Sequence, residues 1–113
     1  MRWSVVVPTV LTAQIALAAP MTGAAQLAPD ALFTHKCGLC HAPGGTGAFM
    51  LGRRLGPERA VLADRRDLTA PFVAAAVRQG LGNMPRLTRV ELTDEELAVL
   101  AAWLSRPKEE ASR

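Results

Sequence analysis

The pentapeptide CGLCH, residues 37–41, holds both cysteines of the chain and one of its two histidines. Two thiols separated by two residues, with an imidazole directly behind them, suit three chemistries: a zinc site, a redox disulfide, or covalent attachment of a larger group. Zinc needs a closed tetrahedral ligand set, and beyond the pentapeptide the chain offers only His35 of the usual nitrogen and sulfur ligands. A thioredoxin-like pair belongs near a βαβ pattern, which this sequence lacks. C-x-x-C-H in an exported chain reads instead as the attachment site of a c-type haem. On one helical turn the two thiols, Cys37 and Cys40, lie close enough to form thioethers with both vinyl groups of one porphyrin. The imidazole of His41 then points at the iron from one side.

The compartment follows from residues 1–25. Met-Arg-Trp opens with a positive charge, and no charged residue follows until Asp30. A charged tip, a short apolar stretch and small residues around Ala16, Ala18, Ala19, Ala24 and Ala25 describe a secretory signal peptide, with cleavage between residues 18 and 25. The rival is an uncleaved membrane anchor, which needs about 20 consecutive, predominantly apolar residues; Pro8, Gln14 and Pro20 interrupt the run. On either reading the rest of the chain is delivered outside the cytoplasm, to the periplasm.

Residues 26–113 then make one small domain. A domain of that size draws only about 3–5 kcal/mol from its own core and usually needs a staple. A disulfide across C-x-x-C closes too small a loop to restrain the unfolded chain. Aromatic residues are scarce, with only Phe33, Phe49, Phe72 and Trp103 beyond the leader. A buried porphyrin supplies the missing apolar surface, so the haem-free chain is expected to be largely unfolded.

The elements that must position the pentapeptide read as helices. Residues 29–40 form a first helix, with Phe33, Cys37, Cys40 and His41 on one face of a 3.6-residue repeat. The stretch HAPGGTGAFMLGRRLGP carries too many glycines and prolines for a helix interior and reads as a wrapping loop. Pro57 suits the first position of a short helix to about Asp64. A third helix starts at the N-cap Thr69, buries Phe72, Val73, Ala76 and Val77, and stops at Gly80. LGNMPRLTRVEL follows as a loop. The last helix is marked by a capping box, Thr93 with Glu96, and by a hydrophobic staple, Leu92 with Leu97. Leu97, Leu100, Ala101 and Leu104 give its buried stripe, widened by Trp103. The fold class is all-α: about four short helices and long loops.

In this order the motifs resemble the class I cytochrome c family, in particular its short bacterial monohaem members. The resemblance runs over residues 27–105: a helix ending in FTHKCGLCH, a Gly-rich loop closing in LGP, a helix ending in RQG, the loop LGNMPRL and the helix LTDEELAVLAAWL. It implies one covalent haem c held by Cys37 and Cys40, with His41 and Met84 as axial iron ligands; Met84 precedes Pro85 as in the family's distal loop. Met50 is expected to be pliable core filler, and His35 a solvated surface residue. The resemblance further implies that the Pro57 carbonyl holds the second N–H of His41. Two filled axial positions leave iron with no place for oxygen or peroxide, which favours a carrier of single electrons over an enzyme.

Charge suggests the partner. Arg53, Arg54, Arg59, Arg65, Arg66, Arg78, Arg86 and Arg89 crowd the middle of the chain, whereas Glu91, Asp94, Glu95, Glu96, Glu109 and Glu110 dominate after residue 90. Arg53, Arg54 and Arg59 are candidates for neutralising haem propionates, and the others for steering a redox protein with an acidic docking face. No nucleic-acid-binding motif surrounds these basic residues. The carrier either diffuses freely or serves as the electron-accepting subunit of a flavin- or quinone-cofactor dehydrogenase. The rival from another class is a haem enzyme or gas sensor with an open or labile sixth iron position.

Overall fold

The computed structural model describes residues 26–108, so the leader 1–25 and the acidic pair Glu109 and Glu110 lie outside the described residues. Five α-helices appear in order: α1 (Pro29–Lys36), α2 (Gly38–His41), α3 (Thr46–Leu55), α4 (Ala70–Gln79) and α5 (Asp94–Ser105). Two 3₁₀ turns, Pro57–Arg59 and Leu62–Asp64, link α3 to α4. No strand occurs among the described residues; Leu81 and Met84 form an isolated antiparallel bridge. The all-α reading holds.

The two helices with clear boundary residues form where the sequence places them. Thr69 caps α4 by accepting from the Phe72 N–H at 3.4 Å. At α5 the Glu96 N–H donates to Thr93 Oγ1 at 3.1 Å and the Thr93 N–H donates to Glu96 Oε2 at 2.9 Å, which closes the capping box. Leu92 and Leu97, the staple pair, are both buried in the core.

α5 is the centre of the packing, lying against both α4 and α1. Its Leu97, Leu100, Ala101 and Leu104 join Leu32 and Phe33 of α1, Val73 and Val77 of α4, and the loop residues Leu68 and Leu92. Trp103 is half-buried, with its ring 5.2 Å from that of Phe33.

Four expectations need correction. The helix foreseen over 29–40 is divided at Cys37, whose φ of −124° leaves the helical region. Cys37 ends α1 by donating to Phe33 O at 2.8 Å, and its own carbonyl accepts from the His41 N–H at 2.9 Å to start α2. The Gly-rich stretch is not all loop, because α3 occupies Thr46–Leu55. Its glycines permit close packing rather than breaking the helix. The helix foreseen from Pro57 to Asp64 is the two 3₁₀ turns, separated by Val61 in an extended conformation. Finally, Met50 is 44% exposed and Phe72 48% exposed, so neither fills the core.

Leu100, 2% exposed, has no surface to relax into. Leu100→Ala is expected to cost about 2–5 kcal/mol, comparable with everything a core of this size supplies. Thr93→Ala, which removes a cap but leaves the core whole, is expected to cost about 1 kcal/mol. Denaturant titration of the haem-loaded variants checks both the order and the sizes.

Candidate functional site

Cys37 and Cys40 bracket the single turn of α2, and His41 ends it. Both thiols are free; Cys37 is half-buried and Cys40 exposed. Burial, with the neighbouring Cys40 sulfur, pushes the Cys37 thiol above its ordinary pKa, so it stays protonated at neutral pH. Burial also pushes His41 below the ordinary histidine range. Its ring is therefore neutral near pH 7, the form that binds a metal.

α3 lies very close on this turn. A Cβ at Gly45 would sit 2.4 Å from the Cys40 carbonyl oxygen, and one at Gly47 would sit 2.8 Å from the same atom and 3.0 Å from Cε1 of His41. Glycine at both positions is what allows the N-terminus of α3 to cover the ring. His41 Nδ1 is buried there with no hydrogen-bond partner. The expected bond to Pro57 is not made in this structure, where the Pro57 carbonyl closes the first 3₁₀ turn by accepting from the Ala60 N–H at 3.2 Å.

Met84 is half-buried and packed against the core. Its backbone is fixed by reciprocal bonds with Leu81, whose N–H donates to Met84 O at 3.1 Å while the Met84 N–H donates to Leu81 O at 3.0 Å. Gly80 opens this loop with φ +77°, and a Cβ there would fall 2.8 Å from Met84 O. The segment is thus a stiff projection from the end of α4.

The arginines divide into groups that sequence order does not reveal. Arg65 grips Asp67 with two hydrogen bonds of 2.8 Å, holding that carboxyl down to about 2. Arg59 stands 3.9 Å from the same carboxylate. Arg78 and Arg89 both pair with Asp94, at 2.8 and 2.7 Å. Arg53, by contrast, lies over the Phe49 ring at 5.8 Å. With Pro57, Phe49 and Val61 it lines an apolar recess of about 480 Å³. Neither cysteine, nor His41, nor Met84 lines that recess. Arg54 reaches the methionine loop, with Nη1 3.7 Å from where a Gly82 Cβ would stand. His35 is exposed, as expected.

Sequence reasoning missed Gly45 and Gly47, whose clustering was legible only as a breaker signal. It also misjudged Arg78, which it grouped with surface charge. No sequence signal separates a guanidinium that bonds inward from one that faces water.

The donor set fits a covalently bound haem: two free thiols one turn apart, a neutral imidazole with a buried unpaired nitrogen, and a half-buried thioether on a braced loop. Such a turn on a small helical scaffold defines a monohaem c-type cytochrome domain, which works by haem-based electron transfer. The chain belongs to the family described as cytochrome c oxidase, cbb3-type, subunit III, whose model matches residues 24–104. Members of this family bind haem c covalently. Comparison with curated proteins and with solved structures returned no match.

A methyl group at Gly47 must displace either the Cys40 carbonyl or the His41 ring. Gly47→Ala is expected to lower the fraction of chain that acquires haem several-fold. Gly52→Ala, whose Cβ would meet only the Ala60 side chain at 3.2 Å, is expected to mature nearly normally. The ratio of covalent haem to purified protein, read by absorbance, distinguishes them.

Proposed function

We propose that this chain is an exported carrier that passes single electrons between redox proteins, with Cys37 and Cys40 as the haem thioethers and His41 and Met84 as the axial iron ligands. What carries the reading is the bracing of Met84. It is half-buried on the core, and its loop is stiffened by the Leu81 pair and by the close approach of Gly80. When bound, the haem supplies a one-electron couple whose potential His/Met ligation raises.

The protein's own residues do the rest. α2 orients the thiols and the imidazole as one unit. Burial keeps His41 neutral, and α3 shields its inner edge. Pro57 has only one of its carbonyl lone pairs occupied by Ala60, so it retains capacity for the His41 N–H, as the resemblance implies. Arg53, exposed beside Phe49, is better placed as a propionate partner than Arg59, which faces Asp67, while Arg54 lies against the methionine loop. Export is supported by the leader pattern of residues 1–25, and the family match begins only at residue 24. No helix among the described residues is long and apolar enough to cross a membrane.

The partner in this reading is a redox protein with an acidic docking face. A dehydrogenase with a flavin or quinone cofactor, using this chain as its accepting subunit, meets that description. Arg54 and Arg86 make no ion pair among the described residues and remain the charges available for steering.

Two outcomes test the proposal. The oxidised, haem-loaded protein is expected to show a sulfur-to-iron charge-transfer band that Met84→Ala removes. A wild-type spectrum without the band, together with rapid carbon monoxide binding after reduction, would instead favour the open-iron enzyme or gas sensor. Electron transfer to an acidic partner is expected to slow several-fold between about 0.01 and 0.15 M salt as the Debye length shortens. Replacing Arg54 and Arg86 with glutamine is expected to weaken that salt dependence, as measured by stopped flow.

A further inference from the structure

The segment that carries Met84 leaves α4 at Gly80 and returns to it at Leu87, whose N–H donates to Val77 O at 2.9 Å. Gly80, with φ +77°, is one root of the loop and Leu87 is the other. Arg78, in the last turn of α4, sits beside the second root. Its Nη1 donates to Leu87 O at 3.1 Å. Its Nη2 donates to Leu92 O at 2.9 Å and to Asp94 Oδ1 at 2.8 Å. The side chain is only 19% exposed, and Nε is buried without a partner.

An arginine serving only to join α4 to α5 needs no more than the Asp94 contact. The bond to Leu87 O is different, because it fastens the returning end of the methionine loop. Between its roots the loop is stiffened by the reciprocal Leu81–Met84 bonds. A large movement of Met84 therefore requires a root to give way. The Gly80 root is held by its own N–H donating to Ala76 O at 2.9 Å, within the frame of α4, whereas the Leu87 root is held by Val77 and by the Arg78 side chain.

We infer that Arg78 is a positioning residue for Met84: by closing the base of the 80–87 loop it limits how often the methionine sulfur leaves the iron. This rests on the assignment of Met84 as sixth ligand. The guanidinium fork suits the task, since its separate nitrogens reach three acceptors in fixed directions; the compact ammonium of lysine lacks that geometry.

The test uses the oxidised, haem-loaded protein and cyanide, which binds only when the sixth position opens. Arg78→Met removes every donor while keeping an unbranched stem, and Arg78→Lys retains the charge. Thr93→Ala loosens the start of α5 without touching Leu87 and reports the effect of general destabilisation. With the charge-transfer band present in wild type, Arg78→Met is expected to bind cyanide about tenfold faster, as loss of a charged hydrogen bond permits. Arg78→Lys is expected to fall between the two, and Thr93→Ala to stay within about twofold of wild type, since its loss is confined to one cap.

Cyanide rates unchanged in the Arg78 variants overturn the inference, and so does an equal acceleration in Thr93→Ala. If Arg78→Met does not mature, Arg78→Lys decides by the same comparison. Absence of the band in wild type overturns the ligand assignment and the clamp together. Presence of the band with unchanged rates overturns the clamp alone.

Discussion

The carbonyl oxygen of Cys40 and the first turn of α3 lie so close that a Cβ at Gly45 would approach to 2.4 Å. This contact sets how the cysteine turn lies against α3. It puts backbone against backbone, where no side chain can yield, and so fixes α2 relative to α3 with little freedom. The ring of His41, the last residue of α2, is placed by that contact rather than by a hydrogen bond from Nδ1, which is left buried and unpaired. An unpaired buried nitrogen costs about 1–3 kcal/mol, and a neutral ring bears that cost better than a charged one. Burial and the lowered pKa are two views of the same contact.

The other half of the site is held by side chains. Leu92, fully buried, and Leu100, 2% exposed, belong to the core against which Met84 packs. The chain between α4 and α5 is tied down along its length. Glu91 Oε2 accepts from the Thr88 N–H and hydroxyl at 2.8 and 2.9 Å, and Lys36 of α1 donates to Glu91 O at 2.8 Å. Lys36 also approaches Glu96 at 3.7 Å. The last turn of α1 therefore reaches the start of α5 just before the chain enters the cysteine turn. Through this contact the two halves of the site, distant in sequence, share one framework.

How far each part was legible depends on whether its physics is local. The α5 start is local: Thr93 and Glu96 satisfy each other's backbone, and the structure contains both bonds. The α4 start and its Gly80 end are local in the same sense. The cysteine spacing is local too, and the family match agrees with the chemistry read from it. What failed was non-local. The glycines of α3 cost about 1 kcal/mol each in an isolated helix relative to alanine, so propensity argued against a helix. Close packing on the 37–41 turn requires glycine at the N-cap Gly45 and at Gly47, and that requirement appears only once the partner segment is in place. The division at Cys37 is of the same kind, since a continuous helical face through Phe33, Cys37 and His41 satisfies periodicity equally well.

Charge is the clearest case of identical residues with different roles. A count of arginines in the middle of the chain describes one basic region. In space Arg65 closes a bidentate pair with Asp67, Arg89 bonds Asp94, and Arg78 turns inward to carbonyls at both ends of the loop before α5. An exposed pair such as Arg89–Asp94 contributes little to stability and cancels much of its own distant field. A half-buried fork onto carbonyls does the reverse: it adds little to steering but fixes backbone. The basic surface is consequently smaller than the composition suggests and lies on α3 and the methionine loop. Arg54 and Arg86 lie beside the segment that bears Met84, the same segment whose returning end accepts a hydrogen bond from the inward-facing Arg78.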